Sequence, residues 1–148
     1  MKVKYRGFFT VDRDVGYVFK FLTDPQRFVK VFPGCKGIVV TETSEFVIDM
    51  IINIGPLRGD VKLRGRFAEV TENKFIKIEG NGVGVNSSMD YILTFTLSSL
   101  NSSTRVEWVF EGTISGLAAL LGERVLNKIA ESLVEDIIKG IVEELSKP

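Results

Sequence analysis

The sequence predicts an α+β fold in which a curved seven-stranded antiparallel sheet wraps around a long C-terminal helix, with two short helices between strands 1 and 2. A β-prone run and two capped helical segments open the chain. Six period-two segments follow from Lys36 to Thr113, and a helical apolar stripe fills the remainder. With 148 residues, 45% apolar side chains and eleven Phe, residues 1–148 are read as one domain with one core.

The first strand is the apolar and aromatic run Val3 to Thr10. Asp12 then stands as an N-cap before Val15, Val18, Phe19 and Leu22, which have helical spacing. Thr23-Asp24-Pro25 begins a second short helix carrying Phe28, Val31 and Phe32, and Pro33-Gly34 ends it. In the strands that follow, Phe46, Ile48, Met50, Ile52 and Ile54 share one face, as do Leu57, Val61, Leu63 and Phe67. The alternates Arg58, Asp60, Lys62, Arg64 and Arg66 point the other way, so one face meets water and the other the core. Met89, Tyr91, Leu93, Phe95 and Leu97 align, and so do Val106, Trp108 and Phe110.

From Gly116 onward Leu121, Val125, Ile129, Leu133, Ile137 and Ile141 form a stripe widened by Leu126, Ala130, Ile138 and Leu145. Arg124, Lys128, Glu131, Glu135 and Lys139 face away from it. Roughly thirty helical residues would span about 45 Å, enough to cross the concave face of a twisted sheet. Glycines at 112 and 116 offer a hinge for that helix.

Nineteen basic side chains balance nineteen acidic ones, which disfavours nucleic acid as a partner. No run of about 18 apolar residues exists, and Met1-Lys2-Val3-Lys4-Tyr5-Arg6 is not a signal peptide, so a cytoplasmic protein without a transmembrane segment is expected. The sequence contains no histidine, the residue that supplies most neutral-pH acid–base catalysis and most transition-metal nitrogen ligands. No catalytic residue, metal site or cofactor is therefore predicted, and binding leads. Cys35 lacks a neighbour beyond Lys36 to activate it and reads as an inert thiol.

A sheet closed by one helix encloses a cavity unless side chains fill it, and a packed core is the competing reading of the same apolar stripes. If a cavity exists, its candidate lining is Phe32, Met50, Phe67, Met89, Tyr91, Trp108, Phe110, Ile129 and Leu133 with Ser87, and Tyr91 or Ser87 would orient one polar end of a mostly apolar ligand. Phe32-Pro33-Gly34-Cys35 reads as a portal lip or simply a helix stop. Gly55-Pro56 with Gly59 is a hairpin connection. Gly80-Asn81-Gly82-Val83-Gly84 lies between strands and precedes no helix, which argues against a phosphate loop and for a bulged strand or a loop. The row Arg58, Lys62, Arg64, Arg66 is a solvated sheet face with Asp49, Asp60 and Glu107 as neighbours, or a contact for an acidic protein or anionic membrane.

Particular motifs carry a likeness. Leu22-Thr23-Asp24-Pro25 with Phe32-Pro33-Gly34-Cys35, Ile54-Gly55-Pro56-Leu57-Arg58-Gly59, Thr104-Arg105-Val106-Glu107-Trp108 and Ile114-Ser115-Gly116-Leu117-Ala118 occur in an order that resembles the CoxG family of carbon monoxide dehydrogenase subunits. That family is a branch of the helix-grip START/polyketide-cyclase-like (SRPBCC) superfamily, and the resemblance spans nearly the whole chain. It implies a non-catalytic carrier or accessory protein that binds a hydrophobic, lipid- or quinone-like molecule and associates with a molybdenum hydroxylase such as carbon monoxide dehydrogenase. The sequence stops at Ser146-Lys147-Pro148 without the apolar tail of some relatives, which leaves only peripheral membrane contact open. A cyclase or hydrolase using the same cavity, and a module docking an oxidoreductase or a second copy of the chain, are the alternatives.

Overall fold

The computed structural model describes residues 1–41 and 44–148; the side chain of Ile54 also lies outside the described residues. Strand β1 (Lys2–Val11) leads into helix α1 (Val15–Leu22) and the short α2 (Pro25–Phe28), followed by a 3-10 turn at Val29–Val31. Strands β2 (Cys35–Val40), β3 (Glu45–Ile54), β4 (Leu57–Thr71), β5 (Phe75–Gly84), β6 (Ser87–Leu100) and β7 (Ser103–Gly116) come next. A second 3-10 turn, Leu117–Leu121, precedes helix α3 (Glu123–Leu145). All pairings in the sheet are antiparallel, in the order β1-β7-β6-β5-β4-β3-β2. The meander thus runs through six consecutive strands, and β1 returns to pair with the last of them.

The period-two reading holds in detail. Phe46, Ile48 and Met50 are buried on the inner face, while Arg58, Asp60, Lys62, Arg64 and Arg66 are exposed on the outer one. Asp24 caps α2 by accepting from the Gln26 amide, with Pro25 in the first turn, as its sequence predicts. The core joins the inner face to α1 and the last turns of α3, with Val18, Phe21, Ile48, Ile76, Val106 and Leu145 at 0% exposure.

Several expectations are corrected. The cap of α1 is Asp14, whose Oδ1 accepts from the Tyr17 amide at 2.9 Å; Asp12 instead accepts from the Ser103 hydroxyl. The glycine run 80–84 belongs to β5 and pairs on both sides, with β4 and β6. The helix does not start at Gly116. Strand β7 ends there, the 3-10 turn intervenes, and Gly122 with φ of 87° sets the start of a 23-residue helix. At 1.5 Å per residue it is about 35 Å long, not 45 Å. The chain bends at Gly116 and Gly122, both with positive φ, whereas Gly112 lies inside β7 opposite Val3 and Tyr91. Val125 is 37% exposed and leaves the apolar stripe, whereas Leu126 beside it is buried at 5%. Glu107 pairs with Arg105 rather than with the β4 row.

Candidate functional site

The centre of the inner face is built from a row of glycines. Gly65 of β4 pairs with Gly80 of β5, which pairs with Tyr91 of β6, which pairs with Gly112 of β7. Each glycine admits something lying flat on the sheet. A Cβ on Gly65 would collide with the Phe46 ring, and one on Gly80 would overlap the Arg64 carbonyl and approach Tyr91 Oη to 2.9 Å. Glycine has low β-propensity, yet the close approach of a ring and a phenol requires it here.

Above this floor the apolar side chains are not fully enclosed. Leu63, Phe67, Met89, Leu93 and Phe110 on the sheet, and Ile129, Leu133, Val134 and Ile137 on α3, all remain half-buried. The buried side chains divide into two groups. A large one runs from α1 to the end of α3; a small one of Leu57, Ala118 and Leu126 closes the other end with Ile52, Val85, Ile114, Leu121 and Ile129 around it. Among the described residues Leu133 packs against neither buried set.

Besides Leu133, the residues singled out from the sequence fall as follows. Met50, Tyr91 and Trp108 are buried at 9%, 7% and 8% exposure. Phe67 leans on Phe46 with ring centroids 5.7 Å apart, and Phe32 meets Phe28 edge-on at 6.1 Å at the end of the first 3-10 turn. Met89 and Phe110 are half-buried against the large core group, while Ile129 belongs with the small one. The Ser87 hydroxyl donates to the Val85 carbonyl and accepts from the Ala118 amide at 2.8 Å, tying β6 to the second 3-10 turn. Tyr91 Oη donates to the Arg64 carbonyl at 2.8 Å, and burial holds its phenol well above the ordinary tyrosine range.

Two polar residues had no local signal in the sequence. Tyr5 on β1 donates its hydroxyl to Asn127 Oδ1 on α3 at 2.7 Å, across 122 residues of chain. Its ring stacks on Phe110, which stacks on Tyr91, with centroids 6.5 and 6.0 Å apart. Burial first, then the charges of Glu131 and Glu123, raise the Tyr5 pKa. Only the docking of α3 on β1 brings this pair together.

Concavities open on the surface among the described residues. One of about 360 Å³ lies on the outer face among Glu69, Phe75, Lys77, Ile92, Thr94, Val109 and Glu111; one of about 610 Å³ runs along α3 past Glu123, Arg124, Asn127, Lys128 and Glu131. In the β4 row, Lys62 pairs with Asp49 at 3.5 Å and Arg66 with Glu79 at 2.9 Å, and Lys36 takes Asp60 at 2.8 Å. Arg58 and Arg64 form no ion pair among the described residues. Among those residues no group of three or more His, Cys, Asp or Glu is arranged to hold a metal ion, and no helix is long and apolar enough to cross a membrane.

Comparison with known proteins agrees with this architecture. The family model for the carbon monoxide dehydrogenase component CoxG matches residues 7–146. Among solved structures, a conserved protein from Geobacillus kaustophilus superposes with a TM-score of 0.89 at 22% identity, covering 97% of this chain and 95% of its own. A START superfamily protein from Mycobacterium smegmatis gives 0.76 at 13% identity, with 96% of each chain covered. The Zhui aromatase/cyclase from a Streptomyces species gives 0.68 at 12%, covering 98% and 92%. These likenesses establish the START-like helix-grip fold. No relative was found among curated proteins.

Proposed function

The chain belongs to the CoxG family of carbon monoxide dehydrogenase subunits, and from that premise we propose that it holds one hydrophobic small molecule, lipid- or quinone-like, between sheet and helix as a non-catalytic carrier or accessory protein. The observation that carries the reading is the incomplete enclosure of the interior. Apolar side chains of the inner face, Leu63, Met89 and Phe110, and of α3, Ile129 and Leu133, keep part of their surface accessible. In a filled core such residues would be sealed, since interiors pack as densely as organic crystals. A ligand lying there would remove that apolar surface from water at roughly 25 cal/mol per Å².

The same interior argues for carriage over chemistry. Its buried phenol, Tyr91, donates to a backbone carbonyl, and burial raises its pKa. Asp90 and Glu107, the carboxylates nearest in sequence to Tyr91 and Trp108, are exposed on the outer face. The family name supports an accessory role beside a molybdenum hydroxylase of the carbon monoxide dehydrogenase kind.

Native mass spectrometry of protein purified from a quinone-containing host, with solvent extraction of whatever is bound, tests the proposal. The expected result is one apolar molecule per chain, lost in Leu133→Asp while the far-ultraviolet circular dichroism is kept. A protein that is empty and also refuses added apolar molecules would overturn it and direct attention to the outer face of the sheet.

A further inference from the structure

The interior offers few polar groups to a ligand, and most are already engaged. Tyr91 Oη donates to Arg64, and the Ser87 hydroxyl both donates to Val85 and accepts from Ala118. The Tyr5–Asn127 pair differs. With Tyr5 donating to Oδ1, both N–H groups of the Asn127 amide are without a partner among the described residues. Were the amide turned over, one N–H would go to the phenol oxygen and the Tyr5 O–H would be released. Either way the pair keeps two unengaged donors. They stand at the seam between β1 and α3, where the concavity along the helix reaches Asn127 from outside and the Tyr5–Phe110–Tyr91 stack leads inward.

The charges around these donors are arranged asymmetrically. Glu123 and Glu131 lie four residues before and after Asn127, on the same line of the helix, and neither forms an ion pair among the described residues. Arg124 and Lys128 occupy the adjoining stripe and are exposed. On β1 the neighbouring cations Lys4 and Arg6 point to the outer face, with Lys4 paired to Glu111. Burial first, and then the two glutamates, resist a negative charge on Tyr5. An anionic headgroup at the same spot would meet the same resistance.

We infer that the Tyr5–Asn127 seam is the headgroup subsite of the proposed ligand, and that it selects an uncharged headgroup bearing a hydrogen-bond acceptor, a carbonyl, ether or hydroxyl, over a carboxylate. This rests on the binding reading above. The apolar body then lies inward along Phe110, Met89 and Leu133, while Asn127 donates to the headgroup and the glutamates turn away acids of the same chain length.

Competition measurements at pH 8 separate this inference from its premise. Diphenylhexatriene, a pure hydrocarbon, reports occupancy by its fluorescence; 2-tridecanone and dodecanoate compete for it. The ketone is expected to displace it at roughly tenfold lower concentration than dodecanoate, a difference of about 1.4 kcal/mol. Asn127→Leu should weaken the ketone roughly two- to tenfold relative to diphenylhexatriene, the value of a lost hydrogen bond. The double variant Glu123→Gln, Glu131→Gln should narrow the gap between ketone and dodecanoate. If the hydrocarbon binds but ketone and dodecanoate compete equally and Asn127→Leu alters neither, the headgroup subsite is wrong while the carrier stands. If the hydrocarbon itself does not bind, both fall together.

Discussion

Ile141 and Leu145 in the last turns of α3 are 4% and 0% exposed, whereas Val125 near its start is 37% exposed and Ile129 and Leu133 between them remain half-buried. The ends of this helix are also held differently. At the C-terminus, the Arg13 guanidinium reaches over from the β1–α1 connection to the carbonyls of Leu145, at 2.7 Å, and Lys147. It thereby supplies the positive charge and the donors that helix ends require, in a last turn with no basic residue of its own. Gly140 lets the Val31 side chain approach the helix, where an added Cβ would stand 3.0 Å from that of Val31. At the N-terminus no side chain caps the helix, and the turn before it sits between two glycines of positive φ. One end anchors the fold; the other meets the sheet through a small separate cluster.

The strongest way to break this contrast is a pair of truncations. Leu145→Ala should cost about 2–5 kcal/mol in urea unfolding, the range for a sealed core leucine, while Leu133→Ala should cost less than about 1 kcal/mol and impair ligand uptake instead. Equal costs would mean that the middle of the interior is filled. Removing the external clamp comes next: Arg13→Ala is expected to lower stability by about 1.5–3 kcal/mol through the loss of charge-assisted bonds, seen as a lower melting temperature with the binding site unaffected.

Alkali should sharpen the contrast further. Tyr5 and Tyr91 both have raised pKa values, each chiefly through burial, so the folded state holds these protons more tightly than the unfolded chain. Their contribution is fully present below the unfolded tyrosine value, near pH 10, and is lost as the pH rises from there toward the folded values. Denaturation midpoints should fall above pH 10, and Tyr91→Phe should flatten that fall. The smallest effect belongs to the outer face. Lys62→Ala breaks an exposed pair with Asp49 and is expected to shift stability by less than about 0.5 kcal/mol.

The strands and the apolar faces were legible because alternation is written locally, as in Arg58, Lys62, Arg64 and Arg66 against Leu57, Val61, Leu63 and Phe67. Asp24-Pro25 announced its helix for the same reason. What escaped depended on distant parts of the chain. Asp12 and Asp14 are equivalent as local caps, and the choice falls to Asp14 because β1 keeps pairing with β7 up to Val11 and Thr104. Leu117–Leu121 has apolar residues enough for a helix, but Ser87 and Asn86 capture its first amides and hold it as a separate turn. Tyr5 and Asn127 become a site only through docking.

The place of β1 in the sheet bears on how the chain acquires its structure as it is made. Strands β2 to β7 pair with sequential neighbours and can join the meander as each emerges. β1 is synthesised before all of them, yet its sole partner is the last strand. The buried Thr104 hydroxyl that closes the join bonds to the carbonyl of Arg13, 91 residues away. At roughly 5–20 residues per second, β1 waits on the order of 5–20 s with Phe8, Phe9 and Val11 unpaired. Phe8 remains 59% exposed in the finished fold, on the outer face beneath the Arg105 guanidinium, 3.8 Å from the ring centroid. Strand β1 is thus the part of the nascent sheet with the longest exposure to chaperones and to aggregation.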